Sequence, residues 1–289
     1  MARASDRIAE NVGGDFFVDS TCIDCDLCRQ LAPATFARTA RRAQSFVQAQ
    51  PSDDAETQRA LMALVTCPTS SIGTTRKHDS KPAARAFPEH VDGDVYFCGW
   101  ASEASYGASA WLIKRASGNV LIDSPRAAST LLARLEELGG VRTMFLTHRD
   151  DVADHQAFHD RFGCERIVHR ADAIGALRGA ERIIDGEAPV RLDDELVIVP
   201  VPGHTRGSCV LIYRDTYAFA GDHVWATDEQ DALEAGEDVS WYSWPEQKQS
   251  MYKLAKHRFM WVLPGHGRRF RAESAEAMRT ELLRLAAAM

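Results

Sequence analysis

Two sets of residues in this chain have the types and spacing to gather metal ions. Cys22, Cys25 and Cys28 form a CxxCxxC triplet, and Cys67 stands further on with Pro68 directly behind it. Two-residue gaps let several thiolates converge on one point, which suits a metal or a cluster better than a set of disulfides. The second set is spread over four segments, LTHRDDVADH, PGHTRG, AGD and LPGHG, which carry His148, Asp154, His155, His204, Asp222 and His266. A His or Asp placed where an apolar strand exits into a loop sits at the rim of a sheet, where α/β proteins build sites. One such residue is commonly a hydrogen-bonded structural side chain. Four segments in this order point to a metal site.

The elements that must position these residues can be read from hydrophobic patterning. Short apolar runs, VYFCGW, SAWLIKR, NVLIDSP, TMFLTH, RIVHR, ELVIVPVPGH, CVLIYR, YAFAGD and MWVLPGH, are expected to be strands. Helices are expected between them, including RAASTLLARLEELGG, which places Leu131, Leu132, Leu135 and Leu138 on one face and ends in Gly-Gly. The pattern is that of a layered α/β chain without internal repeats. RKHDSKPAARAFPEH has no apolar period and two prolines, so residues 76–90 are expected to link a small domain, 1–75, to a larger one, 91–289.

Composition agrees with two soluble domains in 289 residues: 45% of residues are hydrophobic and 26% charged. The net charge of −7 leaves no basic field for nucleic acid or an anionic membrane. No apolar run has the roughly 18–20 residues that span a bilayer, and the N-terminus has no secretory signal, so a cytoplasmic protein is expected. Seven cysteines, an odd number, argue against a disulfide framework. Cys98, Cys164 and Cys209 lie among apolar neighbours and are expected to be buried hydrophobes. There is no GxxxxGK, GxGxxG or GxSxG motif to support an ATP loop, a dinucleotide fold or a serine hydrolase.

The segment GDFFVDSTCIDCDLCRQLAPATF with the remote Cys67-Pro68 resembles the single-cluster bacterial ferredoxins over about residues 14–75. The resemblance implies a small α+β ferredoxin-like domain with one 4Fe-4S cluster on Cys22, Cys25, Cys28 and Cys67. A zinc site on the same four thiols is the alternative, although zinc ribbons usually present two CxxC pairs.

The second set resembles the metallo-β-lactamase superfamily over residues 94–270, with LIDSP, which contains Asp123, and the SYGASAWLI strand matching the family's opening strands. The resemblance implies an αββα sandwich holding one or two divalent metals, zinc, iron or manganese, on His148, Asp154, His155, His204, Asp222 and His266. The family's HxHxDH loop is altered here. The second His is replaced by Asp150, and Asp154-His155 arrives two positions late. Three arrangements follow: Asp150 ligates while the loop bulges to return Asp154 and His155; one metal survives on Asp154, His155, Asp222 and His266; or the site is degenerate. A carboxylate in place of an imidazole hardens the site toward iron or manganese. The flavodiiron branch of the superfamily also has a carboxylate here, but with the usual spacing, and this chain has no flavodoxin-like domain.

Three activities are consistent with these residues. The first is metal-dependent hydrolysis of a small-molecule substrate, with Asp154 orienting the nucleophilic water. The second is an iron-dependent oxidoreductase in which the ferredoxin domain, served by a redox partner protein, feeds a mono- or di-iron site. The third is a redox-sensing or binding protein with a degenerate metal site. His169, His223 and the aromatic residues Trp225, Trp241, Tyr242 and Trp244 are weaker candidates near the site.

Overall fold

The computed structural model describes residues 2–40 and 43–289. The chain forms two compact units: Met1–Asn119 with Pro125–Gly140 and Ala153–Phe158, and Val120–Ser124 with Val141–Val152 and His159–Met289.

In the first unit, strand Phe16–Val18 pairs antiparallel with Ile72–Thr74, and Phe36–Arg38 pairs with Ser45–Val47. Helix Asp54–Thr66 begins where the Asp53 carboxylate accepts the Glu56 backbone N–H, satisfying a donor that a helix start leaves open. The helix buries Ala60, Leu61, Met62 and Val65 and stops at Cys67, whose ψ of 119° is the extended conformation that a following proline imposes. Pro68 therefore fixes the backbone of the fourth cysteine. Residues 76–90, expected as a linker, contain helix Lys81–Arg85, with Ala83 and Ala84 buried, and the start of strand Glu89–Asp92. These elements are too short to show a hydrophobic period. Strands Val95–Phe97 and Trp111–Ile113 extend the ribbon antiparallel. Helix Ser129–Glu137 buries Leu131 and Leu135 fully, and Gly139 and Gly140 end it with φ of 105° and 74°, values open to glycine at little cost.

The second unit contains four parallel strands in the order Val120–Ile122, Thr143–Phe145, Glu165–His169 and Arg182–Ile184. Its other sheet runs Val190–Arg191, Leu196–Pro200, Cys209–Tyr213, Tyr217–Gly221, Trp261–Pro264 and Phe270–Arg271. All pairings there are antiparallel except Tyr217–Gly221 with Trp261–Pro264. Consequently Leu196–Pro200, Tyr217–Gly221 and Trp261–Pro264 point the same way, and their carboxyl ends share one edge. Helices Trp244–Leu254 and Ala275–Ala288 cover this sheet through Met251, Leu254, Met278, Leu282 and Leu285, packed on Val199, Val210, Ala218 and Val262. Each fully buried side chain of this size contributes roughly 1.5–3 kcal/mol, so the sheet that carries the site is firmly anchored. Cys98, Cys164 and Cys209 are all buried. Among the described residues, no helix is long and apolar enough to cross a membrane.

Candidate metal centres

Cys22, Cys25, Cys28 and Cys67 line one small pocket whose walls include Val18, Leu27 and Ile72. Burial, with repulsion from the neighbouring sulfurs, raises the Cys25 thiol well above its usual range, and burial pushes Cys28 up to about 12. Left alone these groups stay protonated, and a cationic occupant would draw out the thiolates. Polar hydrogens already face the sulfurs: the Ser45 backbone N–H lies 3.4 Å from Cys22 Sγ and the Ser71 N–H 3.3 Å from Cys67 Sγ. Four thiols lining one pocket, three of them from a CxxCxxC triplet, suit a cluster.

The His and Asp donors converge in the second unit. His148 lies three residues past strand Thr143–Phe145, His204 in the loop after Leu196–Pro200, Asp222 immediately after Tyr217–Gly221, and His266 two residues after Trp261–Pro264. Two triplets have donor atoms within 4.8 Å of one another: His148, Asp150 and His204, and His148, Asp151 and Asp222. Asp222 Oδ2 is 3.8 Å from His148 Nε2, 3.7 Å from His204 Nε2 and 2.9 Å from His266 Nδ1. Asp150 Oδ2 is 3.5 Å from His204 Nε2, and Asp151 Oδ1 is 3.6 Å from His266 Nδ1.

Asp151 was not among the expected site residues, yet it is 1% exposed and both of its carboxylate oxygens lack a hydrogen-bond partner. Nothing in the order of residues separates it from Asp150. Its place is set by the chain turning just after the strand, with Ser124 donating its N–H to the Asp151 carbonyl. Asp154 departs from expectation: its carboxylate accepts the Ala127 backbone N–H at 2.8 Å, and His155 begins helix His155–Phe162. Neither belongs to the two donor triplets. Asp150 and Asp151, in tandem, each belong to one of the two triplets.

Neighbouring groups fix the imidazole tautomers. His204 Nδ1 donates to the Val239 carbonyl at 2.6 Å, so its Nε2 carries the lone pair. Thr147 Oγ1 donates to the Asp123 carboxylate and accepts from His148 Nδ1 at 3.0 Å, which again leaves Nε2 as the lone-pair atom. Both Nε2 atoms are buried without hydrogen-bond partners. Asp172, fully buried, accepts the Arg149 and Gly207 N–H groups at 3.1 and 3.0 Å together with the Thr205 hydroxyl, tying the loop of His148 to the loop of His204. Glycine is required at 265, where a Cβ would meet Asp151 Oδ2 at 2.0 Å and Asp222 Oδ1 at 2.8 Å.

The charges are incompletely compensated. Burial lowers the His148 imidazole to about 4 and raises Asp123 to about 8. Burial and the nearby Asp222 charge hold Asp151 well above the carboxylate range. Burial would also raise Asp222, but His266, His148 and His204 outweigh it and hold that carboxyl low. For His204, burial opposes protonation, but Asp150, Asp222 and the Val239 carbonyl together raise its pKa. Buried imidazole lone pairs and carboxylate oxygens facing one point make a chemical environment that a divalent cation satisfies.

Residues 18–74 match the family model of the 4Fe-4S single cluster domain of Ferredoxin I. The hydroxyacylglutathione hydrolase of Rhizobium etli is 29% identical over 176 residues, 55% of this chain and 68% of that protein. The hydroxyacylglutathione hydrolase of Rhizobium johnstonii is 32% identical over 109 residues, 36% of this chain and 42% of that protein. The crystal structure of the metallo-β-lactamase from Erythrobacter litoralis is similar with a TM-score of 0.54 at 16% identity, covering 70% of this chain and 96% of its own. That of the metallo-β-lactamase from Pontibacter korlensis gives 0.50 at 19% identity, covering 67% and 97%. At these identities the structural likeness establishes the fold.

Proposed function

We propose that this chain, which joins a ferredoxin-type single-cluster domain to a fold of the metallo-β-lactamase superfamily, is a metal-dependent hydrolase of thioesters or esters. In this reading residues 1–75 are the cluster domain, with Cys22, Cys25, Cys28 and Cys67 as ligands, 76–90 the connection and 91–289 the hydrolytic domain. The observation that carries it is the convergence of partnerless His148 Nε2, His204 Nε2 and Asp151 oxygens with Asp150 and Asp222. Each buried unsatisfied group costs about 1–3 kcal/mol, and an ion on these donors removes that cost.

We assign His148, Asp150 and His204 as the residues that would hold one ion, and Asp151, Asp222 and His266 as those that would hold a second. Bound there, such ions supply Lewis acidity toward a scissile carbonyl and lower the pKa of water. The chain itself orients the donors through Thr147, Asp123, Val239 and Asp172. Trp241, 62% exposed with its ring centroid 6.2 Å from that of His204, and Tyr242, 44% exposed, provide an apolar platform for the acyl part of a substrate. The relatives' name makes a hydroxyacyl thioester the first substrate class to test. Thiol release from such a thioester, lost on chelation and in His148→Ala, is the expected result. No turnover of any thioester or ester by fully metallated protein would refute the proposal.

One observation favours a second reading. His148, Asp150 and His204 are two imidazoles and one carboxylate, the donor set of non-haem iron oxygenases, and a ferredoxin-type domain precedes them. Metal and sulfide analysis of anaerobic protein separates the two: about four iron with two zinc supports hydrolysis, and about five or six iron without zinc supports redox chemistry.

A further inference from the structure

We propose that Ser45, backed by Arg29, sets the reduction potential of the cluster held by the four cysteines; the assignment rests on the reading that those cysteines carry a 4Fe-4S cluster. Ser45 is 1% exposed and meets two ligand sulfurs through two different groups. Its backbone N–H lies 3.4 Å from Cys22 Sγ, and its hydroxyl oxygen lies 3.1 Å from Cys28 Sγ. The Arg29 guanidinium, 7% exposed, donates Nη1–H to the same hydroxyl.

A serine hydroxyl has one proton to give. With Arg29 bonded to its oxygen, that proton is directed to Cys28 once the sulfur is a thiolate, and a chain runs from Arg29 N–H to Ser45 Oγ–H to Cys28 Sγ. Were Cys28 a thiol donor, Ser45 would accept twice and its own proton would have no place in this chain. The arrangement is complete only around an anionic sulfur.

Arg29 is held in place by two carboxylates from the cysteine loop itself. It donates to Asp24 Oδ1 at 2.7 Å and to Asp26, while Arg38 takes the other Asp24 oxygen at 2.9 Å. Asp24 and Asp26 have φ of 61° and 66°, left-handed values that short polar side chains tolerate. These turns aim both carboxylates at the guanidinium. They also offset its charge, which leaves the polarised Ser45 hydroxyl as the main lever.

Hydrogen bonds to cluster sulfurs favour the more negative, reduced state and raise the potential. The test is a mediated EPR titration of the one-electron couple in anaerobically purified full-length chain, with dithionite as reductant. Ser45→Ala is expected to lower the equilibrium constant for reduction about tenfold, which is about 59 mV for one electron. Ser45→Thr, which keeps the hydroxyl, is expected to restore the wild-type value. Arg29→Gln is expected to lower the potential alone and to add less in the Ser45→Ala background, because both act through one hydroxyl. Iron and sulfide are measured on every sample. Wild type without a cluster removes the premise, whereas an intact cluster with an unchanged potential in Ser45→Ala overturns the assignment alone. If Ser45→Ala loses its cluster, an unchanged potential in Arg29→Gln overturns it instead.

Discussion

The cysteine pocket and the His/Asp centre both bring donors to one point, but they are assembled by opposite routes. Three of the four thiols come from residues 22–28, and the fourth stands at a helix end fixed by Pro68. The donors of the second centre come from segments scattered over residues 148–266 and meet where the ends of three like-directed strands of one sheet face the loop after Thr143–Phe145 of the other. The Cys22 and Cys67 sulfurs receive backbone N–H donors from their surroundings, while His148 Nε2, His204 Nε2 and both Asp151 oxygens receive none. A local motif thus carries its own supporting shell; a centre built from distant loops leaves its strongest demands to the ion.

Seven substitutions would break or sharpen this contrast. The largest effect is expected from Asp222→Ala, which removes the carboxylate between both triplets: metal is lost from the His/Asp centre and turnover falls on the order of 10³-fold. Cluster absorbance should stay intact, and its loss would show that the two centres are not independent. Conversely, Cys67→Ser should abolish the cluster while thioester hydrolysis stays within about threefold of wild type. A collapse of turnover there would favour the electron-feeding reading.

Asp151→Asn should weaken metal binding about 10–100-fold, measured by competition with a chelating dye. Asp154→Asn should barely change it, because the amide oxygen still accepts the Ala127 N–H. The reverse ranking would restore the bulged loop expected from the sequence. Asp172→Asn, which loses part of the clamp between the His148 and His204 loops, should weaken metal binding about tenfold without changing the cluster's EPR signal.

The smallest effects lie in one carboxylate of each region. Asp15 is held at about 2: burial raises it, but hydrogen bonds from His78, the Arg76 N–H and Thr75 outweigh burial. Glu181 is held at about 2 by its hydrogen bonds with Arg166. Both folded pKa values are depressed, so the stability they contribute is present above the ordinary carboxylate range and disappears as pH falls toward 2. Asp15→Asn and Glu181→Gln should each cost about 1 kcal/mol at pH 7 after solvent screening, a difference that urea titration should find shrinking by pH 3. A constant difference would rule out the charge as its origin.

Much of the fold is legible in the sequence. The nine apolar runs are strands, because alternating and continuous hydrophobic stretches of that length have few other stable outcomes. The triplet Cys22, Cys25 and Cys28 was readable from spacing, and Cys67 from its resemblance to the remote Cys-Pro of single-cluster ferredoxins. Asp151 was not readable: choosing between it and Asp154 depends on whether the loop bulges, and that is decided by the chain pairing with Ser124 and by the space left above Gly265. Asp172 was equally silent, because its three partners lie 23 to 35 residues away.

Residue types and local spacing alone named the donors available to each centre and the strands that carry them, because periodicity and short loops act over a few residues. Which carboxylate turns inward, which tautomer each imidazole holds, and which serine touches a sulfur were decided by tertiary contacts, since those depend on atoms that meet only once sheets and helices have packed.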